Sequence, residues 1–214
     1  MYTHSRALAC LVLVVLTSPL ADSYASDHTD PPSRVFPGEP EDLGDLYAWV
    51  SNDTLSVVLT FAGRRSPGPG ETGTWDPDLL YGVHIDTNGD GTAEHDIFVR
   101  FGQDEEGAWG MQVLNFPGAG APLIGLVDTV NEGAGGKFYA GYHDEPTFFD
   151  ASGLAVTQNR IADGNDETDV GFTGADAYAG LNTSAIVLDI PVAAALDGGT
   201  SASIWATSAS IGGE

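Results

Sequence analysis

Short runs of apolar residues recur along most of the chain, and in the clearest run they alternate with other residues. Between positions 55 and 61 every second residue is apolar, namely Leu55, Val57, Leu59 and Phe61. This alternation is typical of a β-strand with one buried side. Short β-type runs at fairly regular spacing predict nine strands, at Leu46–Val50, Thr54–Phe61, Leu79–Asp86, His95–Phe101, Ala108–Asn115, Leu123–Val130, Lys137–Tyr142, Ser184–Ile190 and Ala202–Thr207.

Turn-forming clusters separate these runs. The chain has 28 glycines and 12 prolines, and such residues end strands more often than they extend helices. Only Pro191–Leu196 is helical in pattern, as one or two turns opened by proline, and Asp150–Gly180 is acidic and irregular. The pattern predicts an all-β fold, an antiparallel β-sandwich with long irregular loops and one short helix.

The N-terminal residues 1–25 have the pattern of a secretory signal peptide. Arg6 precedes the apolar run Ala7–Leu20, and the small residues Ser23 and Ala25 precede a cleavage site. The run is too short to cross a bilayer, which takes about 20 residues; the alternative, a buried N-terminal helix, lacks an amphipathic period. Residues 26–44 then form a predicted extended arm, and residues 45–214 one β-sandwich domain. The predicted location is secreted or periplasmic.

Cysteine content and charge exclude several classes of function. Cys10 is the only cysteine and lies in the predicted signal peptide, so the mature domain has neither disulfides nor thiolate metal sites. The chain carries 31 acidic against 7 basic residues, a net charge of -24. Such a surface repels nucleic acid and anionic lipid and attracts multivalent cations. We therefore expect no nucleic-acid partner and, given the absence of a long apolar segment, no membrane span.

The turn after the third predicted strand has the sharpest local chemistry. Asp86, Asn88 and Asp90 offer oxygen ligands at alternate positions, Gly91 permits a sharp turn, and the Thr92 carbonyl can add another oxygen. This D-x-N-x-D-G arrangement matches the first half of an EF-hand calcium loop.

The match then departs from the EF-hand. Ile97 stands where a bidentate glutamate belongs, and the flanking segments are predicted strands, so Glu94 or Asp96 would have to substitute. A hairpin turn without metal favours the same residue types. The predicted calcium ligands are Asp86, Asn88, Asp90, Thr92, Glu94 and Asp96.

Histidines beside carboxylates provide a second hypothesis. His28 lies between two aspartates within Asp-His-Thr-Asp, and His143 precedes Asp144. A histidine near carboxylates can bind zinc or act as a general base, which makes a secreted hydrolase using His28 or His143 one alternative. The sequence contains neither an H-E-x-x-H nor a G-x-S-x-G motif.

Tryptophans provide a third hypothesis, a carbohydrate-binding module. Trp75 lies in a turn-rich segment and is the predicted exposed ring, whereas Trp49 and Trp205 are predicted to fill the core. The corresponding partner would be an extracellular glycan or an envelope component.

Several sequence segments, taken in order, resemble those of a known family. They are Ser26–Pro31, Asp42–Val50, Val83–Gly91, Phe138–Asp150, Ala179–Pro191 and Ser203–Thr207. Together they resemble the bacterial domain-of-unknown-function 4331 family of exported proteins over nearly all of the mature chain. The resemblance implies export but no established activity. A weaker likeness, at the level of the fold, is to carbohydrate-binding sandwiches of the family-nine type.

These observations lead to one principal function hypothesis. We expect an exported acidic β-sandwich that acts as a calcium-stabilised binding or structural module. Carbohydrate binding and hydrolysis remain the alternatives.

Overall fold

The computed structural model describes residues 38–164 and 171–211. The predicted signal peptide and most of the predicted arm lie outside the described residues. The described elements are β1 (Leu43–Ser51), β2 (Thr54–Arg65), β3 (Leu79–Asp86), β4 (His95–Gln103), β5 (Trp109–Leu114), β6 (Leu123–Leu126), β7 (Asn131–Gly133), β8 (Gly136–Asp144), α1 (Ala151–Ala162), β9 (Asn182–Pro191), α2 (Val192–Leu196) and β10 (Ser203–Ser210).

The strands form two five-stranded antiparallel sheets, which confirms the predicted all-β sandwich. Sheet A has the order β1-β2-β9-β8-β7 and sheet B the order β10-β3-β4-β5-β6. The edge strand β1 lies near β10, and β6 lies near β7. Each of the nine predicted strands overlaps an observed one, and the structure adds the three-residue strand β7.

The core lies between the two sheets. The four apolar residues predicted to share a face of β2 are all buried, because the alternation turns them toward sheet B. One end of the core is aromatic: the Phe61 ring lies 4.4 Å from the Tyr81 ring and 6.0 Å from the Phe101 ring, measured between centroids.

The prediction that the Trp75 ring is exposed is wrong, since only 7% of the residue is exposed. The β2–β3 connection folds back over the aromatic end of the core, and the indole lies 4.6 Å from Phe101 and 5.9 Å from Phe61 between ring centroids. Gly73 allows this approach, because a Cβ there would lie 2.7 Å from the indole. Burial of so large an apolar side chain outweighs the turn-rich sequence around it.

The other two predictions for tryptophans are also wrong. Trp49 is 50% exposed, because it lies on the outer face of β1, opposite Ser56 in the register. Trp205 lies on the outer face of β10, while its neighbours Ile204 and Ala206 pack against the core. In a strand, adjacent residues point to opposite faces.

The helices differ from the prediction in number. The predicted helix is present as α2, immediately after Pro191. The 12-residue helix α1 lies within the segment predicted to be irregular, and Gly153 is its only buried residue. Its apolar side chains Leu154, Val156 and Ile161 are exposed. The N-terminus of α1 is capped by Asp150, whose side chain accepts a hydrogen bond from the Gly153 N–H. No helix among the described residues is both long and apolar enough to cross a membrane.

Candidate metal site in the turn between β3 and β4

The turn is organised around a carboxylate at the end of β3. Asp86 is 2% exposed. Its Oδ1 accepts hydrogen bonds from the backbone N–H groups of Asn88 (3.0 Å) and Gly89 (2.6 Å), and its Oδ2 accepts one from Gly91 (2.8 Å). The hydrogen bonds from Gly91 and Gly89 lower the pKa of Asp86 most strongly, against the opposing effect of burial. The carboxylate is therefore held in its ionised form.

Two further side chains bend the turn in the same way. Asn88 Oδ1 accepts from the Asp90 N–H at 2.9 Å, and Asp90 Oδ1 accepts from the Thr92 N–H at 2.8 Å. Gly91 has a φ of +83°, in the left-handed region where a side chain would be strained. The spacing of the motif thus fixes a tightly curled backbone.

Glu94 closes the turn from the other side. Its Oε2 accepts from the Thr87 N–H at 2.6 Å, and its Oε1 accepts from Asn88 Nδ2 at 2.5 Å. The Glu94 N–H itself donates to the Ile85 carbonyl at 2.9 Å. The glutamate therefore connects the start of β4 to the first residues of the turn.

Three carboxylates meet in this turn and could hold a metal ion. One oxygen from each of Asp86, Asp90 and Glu94 lies within 4.8 Å of the other two. Asp86 is buried, whereas Asp90 and Glu94 are exposed. Three like charges this close repel one another unless a cation or protons compensate them. The sequence predicted all three residues.

The remaining predicted ligands have other contacts. Asp96 lies outside the cluster, because the β3–β4 register places it opposite His84, and its Oδ1 lies 2.6 Å from His84 Nδ1. The amide oxygen of Asn88 is occupied by the Asp90 N–H. Thr92 contributes its N–H to the turn.

His84 is the centre of a hydrogen-bonded chain that the sequence analysis missed. Its Nε2 lies 2.9 Å from Thr207 Oγ1 on β10, and its ring stacks on Trp205 with 5.3 Å between centroids. A Cβ on Gly82 would lie 2.6 Å from Thr207 Oγ1 and 2.7 Å from His84 Nε2. Gly82, between Tyr81 and Val83, was the signal in the sequence that a side chain from a neighbouring strand lies close by. The hydrogen-bonded chain Asp96–His84–Thr207 connects β4 and β10 to β3.

The structure places His143, a histidine predicted for a hydrolase, beside a tyrosine. The residue is exposed near the end of β8, and its Nε2 lies 2.6 Å from the Tyr139 hydroxyl. The neighbouring Asp144 is also exposed, and among the described residues neither it nor any other carboxylate forms an ion pair with His143. His28 lies outside the described residues. Trp75, the proposed sugar-binding ring, is buried in the core.

A second buried carboxylate, Asp150, precedes α1 and differs from Asp86 in its surroundings. Its Oδ1 accepts from the Gly153 N–H (2.7 Å) and from Thr173 Oγ1 (2.7 Å), and its Oδ2 accepts from the N–H groups of Thr173 (2.5 Å) and Gly174 (2.8 Å). The Thr173 hydroxyl is the largest cause that lowers the pKa of Asp150 to about 2. Asp150 ties the start of α1 to residues 171–175.

Comparisons with protein-family models, with curated proteins and with solved structures find no match to this chain. The resemblance to the domain-of-unknown-function 4331 family stays a prediction from the sequence, as does the likeness to family-nine-type carbohydrate-binding sandwiches.

Proposed function

We propose that this chain is an exported binding or structural module whose β-sandwich is stabilised by calcium in the turn between β3 and β4. The observation that carries the proposal is the approach of one oxygen each from Asp86, Asp90 and Glu94 to within 4.8 Å of one another. A cation is the natural compensation for three acids at that distance.

The chemistry of the turn favours calcium among the common cations. The three side chains of the cluster offer carboxylate oxygens only, and hard cations prefer such ligands. Calcium accepts six to eight oxygens in a flexible geometry, whereas magnesium demands a near-ideal octahedron and releases its water reluctantly. An exposed turn with two accessible carboxylates leaves room for water to complete the coordination of calcium.

Calcium in this position would stabilise the fold by joining the ends of two central strands of sheet B. Cys10 is the only cysteine of the chain, so the sandwich has no internal disulfide. A ligand that binds only the folded state raises the free energy of unfolding in proportion to the logarithm of its concentration over Kd.

Thermal unfolding of the purified mature domain in calcium, in magnesium and in chelator tests the proposal. We expect the transition to rise with calcium, to rise less with magnesium, and to lose its calcium dependence in Asp90→Asn. Asp104→Asn is the matched control, because Asp104 also braces a β-hairpin turn by accepting from the N–H groups of Glu106 and Ala108. A melt that is insensitive to calcium in the wild-type domain would contradict the proposal.

Glycan binding is a second candidate function, and the exposure of Trp49 favours it. Half of Trp49 is exposed on the outer face of sheet A. The register places Ser56, Asp189 and Lys137 in the same row across the sheet. The buried Ser56 hydroxyl donates to Asp189 Oδ1 at 2.6 Å. A sugar stacked on Trp49 would find its nearest carboxylate at Asp189, two strands away in this row.

A glycan array separates this candidate from a purely structural role. We expect binding by the wild-type domain to be lost in Trp49→Ala. Phe172→Ala is the control, because Phe172 is an exposed aromatic residue, at 76%, outside the strands. Equal glycan binding by wild type and Trp49→Ala would remove Trp49 as the platform.

A further inference from the structure

A groove of about 570 Å³ lies on the outer face of sheet B. Two rows of residues cross strands β4, β5 and β6 in register there, Arg100–Gln112–Ile124 and Gly102–Gly110–Leu126. We call this surface the outer groove. Its volume falls within the range of small-molecule sites, about 300–1,000 Å³, and it is separate from the metal cluster.

One glycine in the floor of the outer groove, Gly102, is not explained by the fold. Gly102 has no atom within 4 Å of the position that a Cβ would take, and its φ lies outside the left-handed region. Every other glycine within the described strands has an atom 3.3 Å or less from that position. Glycine weakens a strand interior, and where neither backbone nor neighbours require it, it often indicates that a ligand approaches closely.

One wall of the outer groove is apolar and open to solvent. Ile124 is 75% exposed and Leu126 is 54% exposed. Both belong to β6, and both side chains stand on the groove side of the strand in register with β5. A ligand lying over Gly102 and Gly110 would cover these two side chains and gain the free energy of burying apolar surface.

A cation lies at one end of the outer groove. The Arg100 Nε donates to Gln112 Oε1 at 2.8 Å, which orients the guanidinium and leaves its terminal N–H groups for a ligand. Within the described part of the chain no carboxylate forms an ion pair with Arg100. Asp104, also on the groove, has its Oδ1 occupied by the N–H groups of Glu106 and Ala108.

We propose that the outer groove binds an amphiphilic carboxylate, with the anionic end at Arg100 and the apolar part over Gly102 and Gly110 against Ile124 and Leu126. The charge of Arg100 selects an anion in a protein whose net charge is otherwise strongly negative. The glycine floor admits a chain or a ring that a side chain would exclude.

Isothermal titration calorimetry with decanoate and with the neutral decanamide, both below micelle-forming concentrations, tests the proposal on the mature domain. We expect decanoate to bind more tightly than decanamide, and Arg100→Gln to weaken decanoate about tenfold while leaving decanamide unchanged. Arg65→Gln is the charge control, because Arg65 lies on sheet A and its guanidinium donates to Thr74 Oγ1 at 2.9 Å. This variant should bind both probes like the wild type.

Gly102→Val tests the floor of the outer groove separately. Space above Gly102 and the β-propensity of valine should leave the melting temperature equal or higher, while both probes lose binding. Unchanged affinity for both probes in Gly102→Val would overturn the proposal, as would failure of the wild-type domain to bind decanoate. Equal decanoate affinity in Arg100→Gln and the wild type would do the same. Because the outer groove shares no residue with the carboxylate cluster between β3 and β4, these outcomes test the outer groove independently of calcium.

Discussion

Asp86 and Asp150 are both buried carboxylates that shape a loop, yet their surroundings lead to different roles. Asp86 accepts three backbone N–H groups and has two further carboxylates beside it. Asp150 accepts three N–H groups and a threonine hydroxyl and belongs to no group of three acids in the described residues. The first site has a surplus of negative charge, whereas the second is saturated with hydrogen-bond donors.

The difference distinguishes a carboxylate satisfied by hydrogen-bond donors from one that belongs to a cluster able to hold a metal ion. Hydrogen-bond donors alone can hold a buried aspartate ionised, as the lowered pKa of both residues indicates. An acidic sequence run is therefore weak evidence for a metal site. The additional carboxylates of Asp90 and Glu94, converging on one point, are what favours calcium at Asp86 and not at Asp150.

The largest expected difference between the two sites is in the response to calcium. At a calcium concentration a thousandfold above Kd, the free energy of unfolding should rise by about 4 kcal/mol. We expect Asp86→Asn to abolish this increase and Asp150→Asn to retain it. Differential scanning calorimetry with calcium and with chelator measures both, and a calcium response in Asp86→Asn equal to that of the wild type would break the comparison.

The next largest effect is the contribution of Asp150 to the pH dependence of stability. Its pKa is lowered from 3.8 to about 2, so ionised Asp150 stabilises the fold above about pH 4, and the contribution is lost as pH falls toward 2. Asp150→Asn should be less stable than the wild type at neutral pH, and the difference should shrink in acid. Denaturant unfolding at a series of pH values measures it. A stability difference that stays constant down to pH 2 would show that charge is not the cause.

Gly91→Ala tests the backbone of the turn between β3 and β4, with a smaller expected effect. The φ of +83° at Gly91 makes a side chain cost about 1–2 kcal/mol. We also expect weaker calcium binding, because the Gly91 N–H that orients Asp86 would shift. Gly180→Ala, at a φ of +75° and remote from the cluster, is the control: it should lose stability without losing calcium affinity. If both variants bound calcium as tightly as the wild type, the turn between β3 and β4 would not be the calcium site.

The smallest effect is expected for Asp96. Its side chain is 51% exposed, whereas that of its partner His84 is 12% exposed. Because solvent reaches the carboxylate, we expect this hydrogen bond to contribute about 1 kcal/mol or less. Asp96→Asn should therefore change stability by less than Gly91→Ala and leave the calcium response intact. Loss of calcium binding in Asp96→Asn would restore the residue to the set of ligands that the sequence predicted.

The strands were predictable because each depends on its own sequence pattern. Alternation identified β2, and glycine-rich turns separated it from its neighbours. The errors arose where a contact distant in sequence decides the outcome. Helix α1 is capped by Asp150, whose oxygens accept hydrogen bonds from residues more than twenty positions later in the chain. Trp75 reaches the core through a connection that folds back over it, and a local pattern does not show such a path.

The predictions that Trp49 and Trp205 fill the core were wrong for another reason. They followed the size of the side chain and not the alternation of inward and outward residues along a strand. Leu46 packs against the core, so the alternation in β1 places Trp49 on the opposite face, as observed. The same reasoning separates Asp96 from the metal cluster once its pairing with His84 is known. Asp86, Asp90 and Glu94 were predictable because their convergence depends on a single short turn.

The position of β9 between β2 and β8 has a consequence for how the chain folds. β2 ends at Arg65 and β9 begins only at Asn182, so more than a hundred residues must be synthesised before the centre of sheet A can form. Pairings of such long sequence separation fold slowly. Until β9 arrives, β2 and β8 each expose an unpaired edge, and the nascent chain remains open. A holdase chaperone that shields these edges would then have a long interval in which to act.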